Sequence, residues 1–277
     1  LNEMVAAGGA MRIEAARVLV PHYEATRDHD RLIRTLEVVA EVDDVRERLA
    51  ALRRAAEVAE LGQNEPGRAF GLVARAVKAA LGEHDLGQLL DDLDRMAHAS
   101  LRWEAYGQLL REITPDIGDE DLALTVLMRA AAVARDKQED RALAREYFDR
   151  ALALRPEHHP ALDALEQLHT QAADYRGLLA VLRKKAELAE EPIERTKLLM
   201  RQAELCAHKL DDVTAAIDAY ERVLEEAPSH EVFDGLEALY ARAERWVDLG
   251  GMYERQMDLH VGDPVLVRYK LAELLRT

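Results

Sequence analysis

The sequence predicts an all-α protein, a solenoid made of about seven and a half helix-turn-helix units. Three observations lead to this prediction. The chain of 277 residues repeats itself about every 72 residues, its composition is that of a helical protein, and strand signals are missing. Self-similarity at a fixed period indicates a stack of equivalent units, each of which buries its apolar face against the next.

Two series of residues define the repeat. A short phrase, basic-x-Ala-x-Val/Leu, begins at four nearly evenly spaced places: Arg54, Arg129, Arg201 and Lys270. A second series is spaced almost equally: His29, Trp103, Tyr175 and Trp246. Each member of this second series is followed, three and seven residues later, by large apolar or aromatic residues. Because the two series share one period, they mark the same structural unit.

Composition and charge narrow the class of protein. Aromatic residues make up 5% of the chain, and the 14 Gly and 8 Pro mostly lie between periodic segments. No alternating β-branched run is bounded by turn pairs such as Asn-Gly, so no strand is predicted. The formal net charge of −16 argues against broad contact with nucleic-acid phosphates or with an anionic membrane. The charge is compatible with basic partners, but we favour a solvated acidic surface.

No metal, cofactor or catalytic site is indicated. The single cysteine, Cys206, excludes an intramolecular disulfide and a multi-thiolate zinc site, and its apolar neighbours predict a buried, inert thiol. The sequence contains no His-x3-His pair, no phosphate-binding loop and no Gly-x-Ser-x-Gly motif. We therefore expect no metal, no cofactor and no enzymatic activity. No apolar run approaches the length that a membrane span requires.

One helix pair is especially clear in the sequence. The periodicity predicts helices over 196–210 and 212–227, with the Asp211-Asp212 pair capping the second helix and Pro228 ending it. The second helix places four residues on one face: Ala216, Tyr220, Val223 and Leu224. The same construction occurs one period earlier: Ala144, Phe148, Ala151, Leu152 and Pro156.

Each period contains two alternating units of about 34 and 38 residues. One type has small residues on its second helix. The other has bulkier residues such as Trp103 and Trp246, which we expect to pack between helices. Residues 1–12 are predicted to be a remnant or linker before a single repeat domain over 13–277, and we expect the chain to be a piece of a longer protein. The predicted units are 13–48, 49–84, 85–120, 121–157, 158–195, 196–229, 230–263 and the partial unit 264–277.

The spacing Ala-x3-aromatic-x2-small-x4-Pro, as in Ala216, Tyr220, Val223 and Pro228, resembles the second helix of a tetratricopeptide repeat. The stretch 173–175 is similar to the turn between the two helices of that repeat. The first helices depart from the family pattern, because Met200 and Ala207 stand where the family has Trp and Tyr. The resemblance covers 13–277 and implies a right-handed solenoid whose first helices line a concave groove.

The tetratricopeptide resemblance also implies one groove-facing position per unit. From residue 54 onward these positions alternate in charge: Arg54, Asp91, Arg129, Asp163, Arg201, Asp234 and Lys270. They could anchor a peptide that has both acidic and basic groups. Alternatively they pair with one another, Asp91 with Arg54 or Arg129 and so on, which leaves a neutral groove. We favour this self-pairing interpretation. The Lys/Asn clamp that some family members use for a peptide carboxylate is excluded, since the two asparagines, Asn2 and Asn64, lie outside the required helices.

These observations predict a non-catalytic protein-protein interaction scaffold that presents its groove to a peptide or partner protein. The alternative is a structural spacer or assembly segment inside a larger multidomain protein, with no groove ligand. Nucleic acid and membrane are not expected partners. The last predicted helix has an apolar face, so we also expect self-association through Leu271 and Leu275.

Overall fold

The computed structural model describes Val5, residues 11–83 and residues 86–276, and its contacts divide the chain into two compact units that meet at Arg155 and Pro156 in the sequence. Within the described residues every regular element is helical and no strand occurs, which confirms the all-α prediction. The predicted segment 1–12 lies largely outside the described residues, and so does the predicted boundary between residues 84 and 85.

Among its described residues the first unit contains four helix pairs. Its α-helices are α1 (Arg12–Thr26), α2 (His29–Val39), α3 (Val45–Glu57), α4 (Pro66–Ala79), α5 (Leu86–Ser100), α6 (Trp103–Ile113), α7 (Glu120–Asp136) and α8 (Arg141–Leu154). A π-helical turn over Val58–Gly62 extends α3, and a 3-10 turn over Thr114–Asp116 follows α6. Odd-numbered helices are the first helices of their pairs and even-numbered helices are the second, and within this unit helices adjacent in sequence pack against each other.

The second unit contains three helix pairs and one more first helix. Its α-helices are α9 (His159–Gln171), α10 (Tyr175–Leu188), α11 (Pro192–Leu205), α12 (Val213–Glu226), α13 (His230–Arg242), α14 (Trp246–Asp258) and α15 (Pro264–Leu274). A π-helical turn over Cys206–Leu210 extends α11. The predicted helix 196–210 is therefore α11 with this turn, and the predicted helix 212–227 is α12.

Aspartate side chains begin many of these helices. Seven described helices have an Asp whose carboxylate accepts a hydrogen bond from a free backbone N–H of the first turn: Asp28, Asp44, Asp119, Asp140, Asp174, Asp212 and Asp263. The predicted cap of α12 is among them, since Asp212 Oδ1 accepts from the Ala215 amide at 3.0 Å. Such caps satisfy N–H groups that the helix itself leaves without partners.

All seven turns inside the described helix pairs share one backbone feature. The residue two positions before the second helix adopts the left-handed conformation, with φ between 51° and 58°: Arg27, Asn64, Leu101, Glu139, Ala173, Asp211 and Glu244. None of them is glycine, the residue that adopts this conformation most readily. The left-handed residue reverses the chain within two residues, so the second helix can fold back on the first.

Small and aromatic residues of the second helices α8 and α12 are buried in the interior, as the sequence predicts. Ala144 and Ala216 have no exposed surface, and the aromatic rings four residues later, Phe148 and Tyr220, are 2% and 6% exposed. Alanine lets neighbouring helices approach closely, and the ring then fills the space beside it. Cys206 is buried as expected, and burial raises the pKa of its thiol.

The expectation that both tryptophans are buried packing residues is wrong for Trp246 and only partly correct for Trp103. Trp246 is 51% exposed at the start of α14. Trp103 is half-buried, with the His98 ring edge-on at 5.2 Å and Lys137 Nζ 4.8 Å from its ring centroid. Both residues are the first residue of a second helix.

The turn between α9 and α10 generates a stability prediction. A Cβ atom on Gly177 would lie 2.2 Å from the ring of His169, which is buried and bonded through Nδ1 to Asp174 at 3.0 Å. Gly177→Ala is therefore expected to lower the free energy of unfolding by about 1–3 kcal/mol, although alanine is the better helix former.

The matched control is Gly251→Ala in α14, where an added Cβ meets no atom within 4 Å. This change is expected to raise the free energy of unfolding by about 0.5–1 kcal/mol. Urea titration followed by circular dichroism measures the free energy of unfolding of both variants. Two changes of the same sign would contradict this account of the Gly177 turn.

Candidate interaction surface on the first helices

The repeated basic residue contacts an acidic residue of the preceding first helix in all four copies. In the first unit, Arg54 Nε lies 3.2 Å from Glu24, and Arg129 pairs with Asp91. In the second unit, the corresponding distances are 2.6 Å for Arg201 to Glu166 and 2.7 Å for Lys270 to Glu237. Each contact joins two successive first helices. Each unit is thus an α-solenoid of tetratricopeptide-like helix pairs.

Only some of the predicted groove residues contact one another. Arg129 and Asp91 pair directly, as the self-pairing interpretation expects. In the second unit, however, the acidic partners are Glu166 and Glu237, each three residues after the predicted aspartate. Positions three residues apart lie on the same helix face. Glu166 and Glu237 therefore lie on the same faces of α9 and α13 as the predicted aspartates, one turn later.

The predicted aspartates Asp163 and Asp234, which do not pair with the repeated basic residue, have other partners. Asp163 accepts a hydrogen bond from Lys185 Nζ at 2.7 Å, and Asp234 lies 2.7 Å from His230 Nδ1. Arg54, in addition to its contact with Glu24, binds Glu57 one turn later on its own helix at 2.7 Å. All seven predicted site residues therefore have an ionic or hydrogen-bonding partner inside their own unit.

Glu166 is the centre of the most extensive of these networks. It accepts hydrogen bonds from Lys185 at 2.7 Å and Arg201 at 2.6 Å, and Lys185 also binds Asp163. The side chain of Glu166 is 17% exposed, so these bonds form in a partly desolvated place. Burial acts to raise the pKa of Glu166, but the hydrogen bonds from Lys185 and Arg201 outweigh it and lower the pKa below 4.5. Glu166 was not among the predicted residues, and Lys185 lies on a second helix.

A tyrosine lies close to the paired charges in each unit. In the first unit, burial of Tyr106, together with the nearby Asp94 carboxylate, raises the pKa of its hydroxyl far above the usual value. In the second unit, burial and the Glu237 carboxylate have the same effect on the pKa of Tyr253.

Two cavities open beside the paired residues. One, of about 290 Å³ in the first unit, has the apolar residues Val73, Leu89 and Met96 among charged ones on α3 and α5. The other, of about 280 Å³ in the second unit, lies between α10 and α11. Its apolar wall is Leu178, Leu182 and Leu205, and its polar rim is Arg201, Glu204, His208 and Lys209.

The described residues contain no group of three or more His, Cys, Asp or Glu side chains arranged to hold a metal ion. Among the helices that the structure describes, none is long and apolar enough to cross a bilayer.

No protein-family model matches the chain, and no curated protein sequence matches it. Several solved structures are similar at low sequence identity. A chain of the Naa15/Naa10 complex bound to HypK-THB matches with a TM-score of 0.45 and 12% identity, over 96% of this chain and 40% of that chain. YrrB, a TPR protein with an unusual peptide-binding site, matches with a TM-score of 0.35 and 14% identity, over 68% and 90%. PilF of Pseudomonas aeruginosa matches with a TM-score of 0.36 and 18% identity, over 82% and 96%.

The Glu166 network predicts a pH-dependent contribution to stability. Glu166→Gln removes the charge that Lys185 and Arg201 bind, so the free energy of unfolding at pH 7 is expected to fall by about 1–2 kcal/mol. Because folding lowers the pKa of Glu166, its stabilisation is fully present above the pKa of the unfolded chain. It is lost as the pH falls from about 5 through the lowered pKa.

Denaturant titrations of the original protein and of Glu166→Gln across this pH range measure the difference between their free energies of unfolding. Glu225→Gln is the control, since Glu225 is exposed on α12, and its effect is expected to be close to zero at every pH. A difference for Glu166→Gln that stays constant down to the lowest pH would refute the ionic role.

Proposed function

We propose that the chain is a non-catalytic interaction scaffold that binds a peptide or partner protein on the first-helix side of its helix pairs. The observation that supports this proposal is the cavity between α10 and α11 in the second unit. Its wall of Leu178, Leu182 and Leu205 is apolar, and its volume of about 280 Å³ suits a single apolar side chain. An apolar anchor in a pocket is the usual centre of a peptide interface.

The rim of this cavity favours particular neighbours for the anchor. Arg201 and Lys209 are basic and Glu204 is acidic, all on α11 or the turn that extends it. Lys209 Nζ also lies 5.8 Å from the ring centroid of Tyr175. A carboxylate next to the anchor would add to the pairing of Arg201 with Glu166 without breaking it, since a guanidinium has five N–H donors. The proposed ligand is thus an extended peptide with an apolar residue beside an acidic one.

The seven predicted groove residues take a limited role in this proposal: Arg54, Asp91, Arg129, Asp163, Arg201, Asp234 and Lys270. Each already has an ionic or hydrogen-bonding partner within its unit. A peptide charge must therefore share or displace that partner, which reduces the net gain. Their pairs set the direction and position of a peptide more than they increase its affinity.

The structural spacer remains the second candidate function. It is favoured by the self-neutralised pairs, which hold successive first helices together without any ligand. A spacer needs no open apolar cavity on the first-helix side, and this is the feature that favours the binding function.

Selection from a displayed peptide library on the intact chain tests the proposal. Enriched peptides are expected to contain an apolar residue adjacent to Asp or Glu. Leu205→Phe, which fills the cavity, and Arg201→Glu, which reverses its rim, are each expected to weaken a selected peptide at least about tenfold. Fluorescence anisotropy of labelled peptides measures the dissociation constants.

Arg222→Glu is the control for charge, because Arg222 is an exposed arginine of α12 in the same unit. It is expected to change the affinity less than about twofold, and circular dichroism checks that every variant folds. Failure to enrich any peptide, or equal binding by all the folded variants, would favour the spacer instead.

A further inference from the structure

The helix α11 buries a large polar side chain, Gln202, where the equivalent helices bury alanine. Gln202 directly follows the repeated basic residue of α11 and is 2% exposed. The residues at the same place in α3 and α7 are Ala55 and Ala130, which are 0% and 1% exposed. Burying a glutamine costs desolvation and side-chain freedom that alanine does not. Because alanine is sufficient for the packing of α3 and α7, the glutamine of α11 has a further role.

Gln202 links α11 to the helix before it. Its Nε2 atom donates a buried hydrogen bond to the backbone carbonyl oxygen of Leu182 in α10, at 3.1 Å. The side chain of Leu182 belongs to the apolar wall of the cavity of about 280 Å³, and so does that of Leu205. Leu205 follows Gln202 by three residues and therefore lies on the same face of α11. The hydrogen bond thus joins the two helices that form this wall.

The interface between α6 and α7, one period earlier, satisfies the equivalent carbonyl group differently. The oxygen of Leu110, 72 residues before Leu182, accepts a hydrogen bond from Thr114 Oγ1 at 2.5 Å. Thr114 follows Leu110 by one turn, so this bond is local to the end of α6 and does not involve α7. In α10 the residue equivalent to Thr114 is Ala186, which is 1% exposed.

The two differences between these interfaces are reciprocal. The hydroxyl that is missing at Ala186 is replaced by the amide of Gln202, so the carbonyl of Leu182 keeps a side-chain donor. A threonine would satisfy this carbonyl with fewer torsions fixed. The glutamine adds a bond between helices, and a hydrogen bond of defined length and direction fixes the separation and rotation of α10 against α11.

We propose that Gln202 is a positioning residue for the cavity between α10 and α11. Its amide holds the leucine walls at the separation that admits the apolar anchor of a bound peptide, so the proposal rests on the proposed function. Gln202 does not belong to the described lining of the cavity, but Arg201 and Glu204 do. The same bond therefore also fixes the position of these two charges relative to the anchor.

The test transfers the α6–α7 arrangement to α10 and α11. The double variant Ala186→Thr/Gln202→Ala returns a local donor to the carbonyl of Leu182 and removes the bond between the helices. A peptide with an apolar residue beside Asp, selected on the original protein, is titrated by fluorescence anisotropy. The double variant is expected to bind it at least about tenfold more weakly. Affinity within about twofold of the original protein would overturn the proposal, because Gln202 would then serve only to satisfy the carbonyl.

Two single variants complete this test. Ala186→Thr keeps Gln202 and is the matched control, with an expected change in affinity of less than about twofold. Gln202→Met keeps the volume of the side chain but donates no hydrogen bond, so it is expected to weaken the peptide as much as the double variant does. Circular dichroism checks that each variant folds. If the double variant does not fold, unchanged affinity of Gln202→Met overturns the proposal by itself.

Xenon replaces the peptide in a second measurement, which separates this proposal from the proposed function. Xenon enters apolar cavities, and the NMR signals of the methyl groups that it contacts shift. The xenon-induced shifts of Leu178 and Leu182 are expected to be at least about twofold smaller in Gln202→Met than in the original protein. Equal shifts in the two proteins would overturn the positioning role, whether or not a peptide binds. Smaller shifts without any peptide binding would support that role and count against the proposed function.

Discussion

The structure depends on close helix packing at a buried alanine in alternate first helices, α3, α7 and α11. Ala56, Ala131 and Ala203, the third residues of the repeated phrase, are 5%, 0% and 0% exposed. A larger side chain at these positions would separate the helices and leave voids around the rings of the second helices. A single pair cannot bury both of its faces, so each pair requires the next, and the repeat follows from this requirement.

Ion pairs between successive first helices add a second, weaker contribution to the stability of the stack. The repeated basic residue, which begins the same phrase, reaches across to an acid on the preceding first helix in every copy. Each such exposed pair contributes about 0.2–1 kcal/mol to the free energy of unfolding. Their regular spacing matters more, because they add direct links between successive first helices. The same pairs leave little free charge on that side, so recognition there depends on shape and on the apolar cavity.

The sequence alone determined the helix pairs, their period and the residues of their interior. Ala216, Tyr220 and Val223 are recognisable because helical periodicity is a local property, readable from spacing. The cap at Asp212 is local for the same reason. What the sequence could not reveal were the seven left-handed turn residues, because none is the glycine that would signal them. These conformations are imposed by the docking of the second helix on the first.

Only the tertiary structure decided the charge partners and the exposure of the aromatic series. Two acids one turn apart on a helix, such as Asp163 and Glu166, are equivalent in a sequence pattern, and the position of α11 selects Glu166. Lys185 joins that network from a second helix, which no first-helix pattern includes. Trp103 and Trp246 occupy the same place in the repeat but differ in burial. Burial depends on what lies opposite a side chain in space, whereas the repeat specifies only the residue itself.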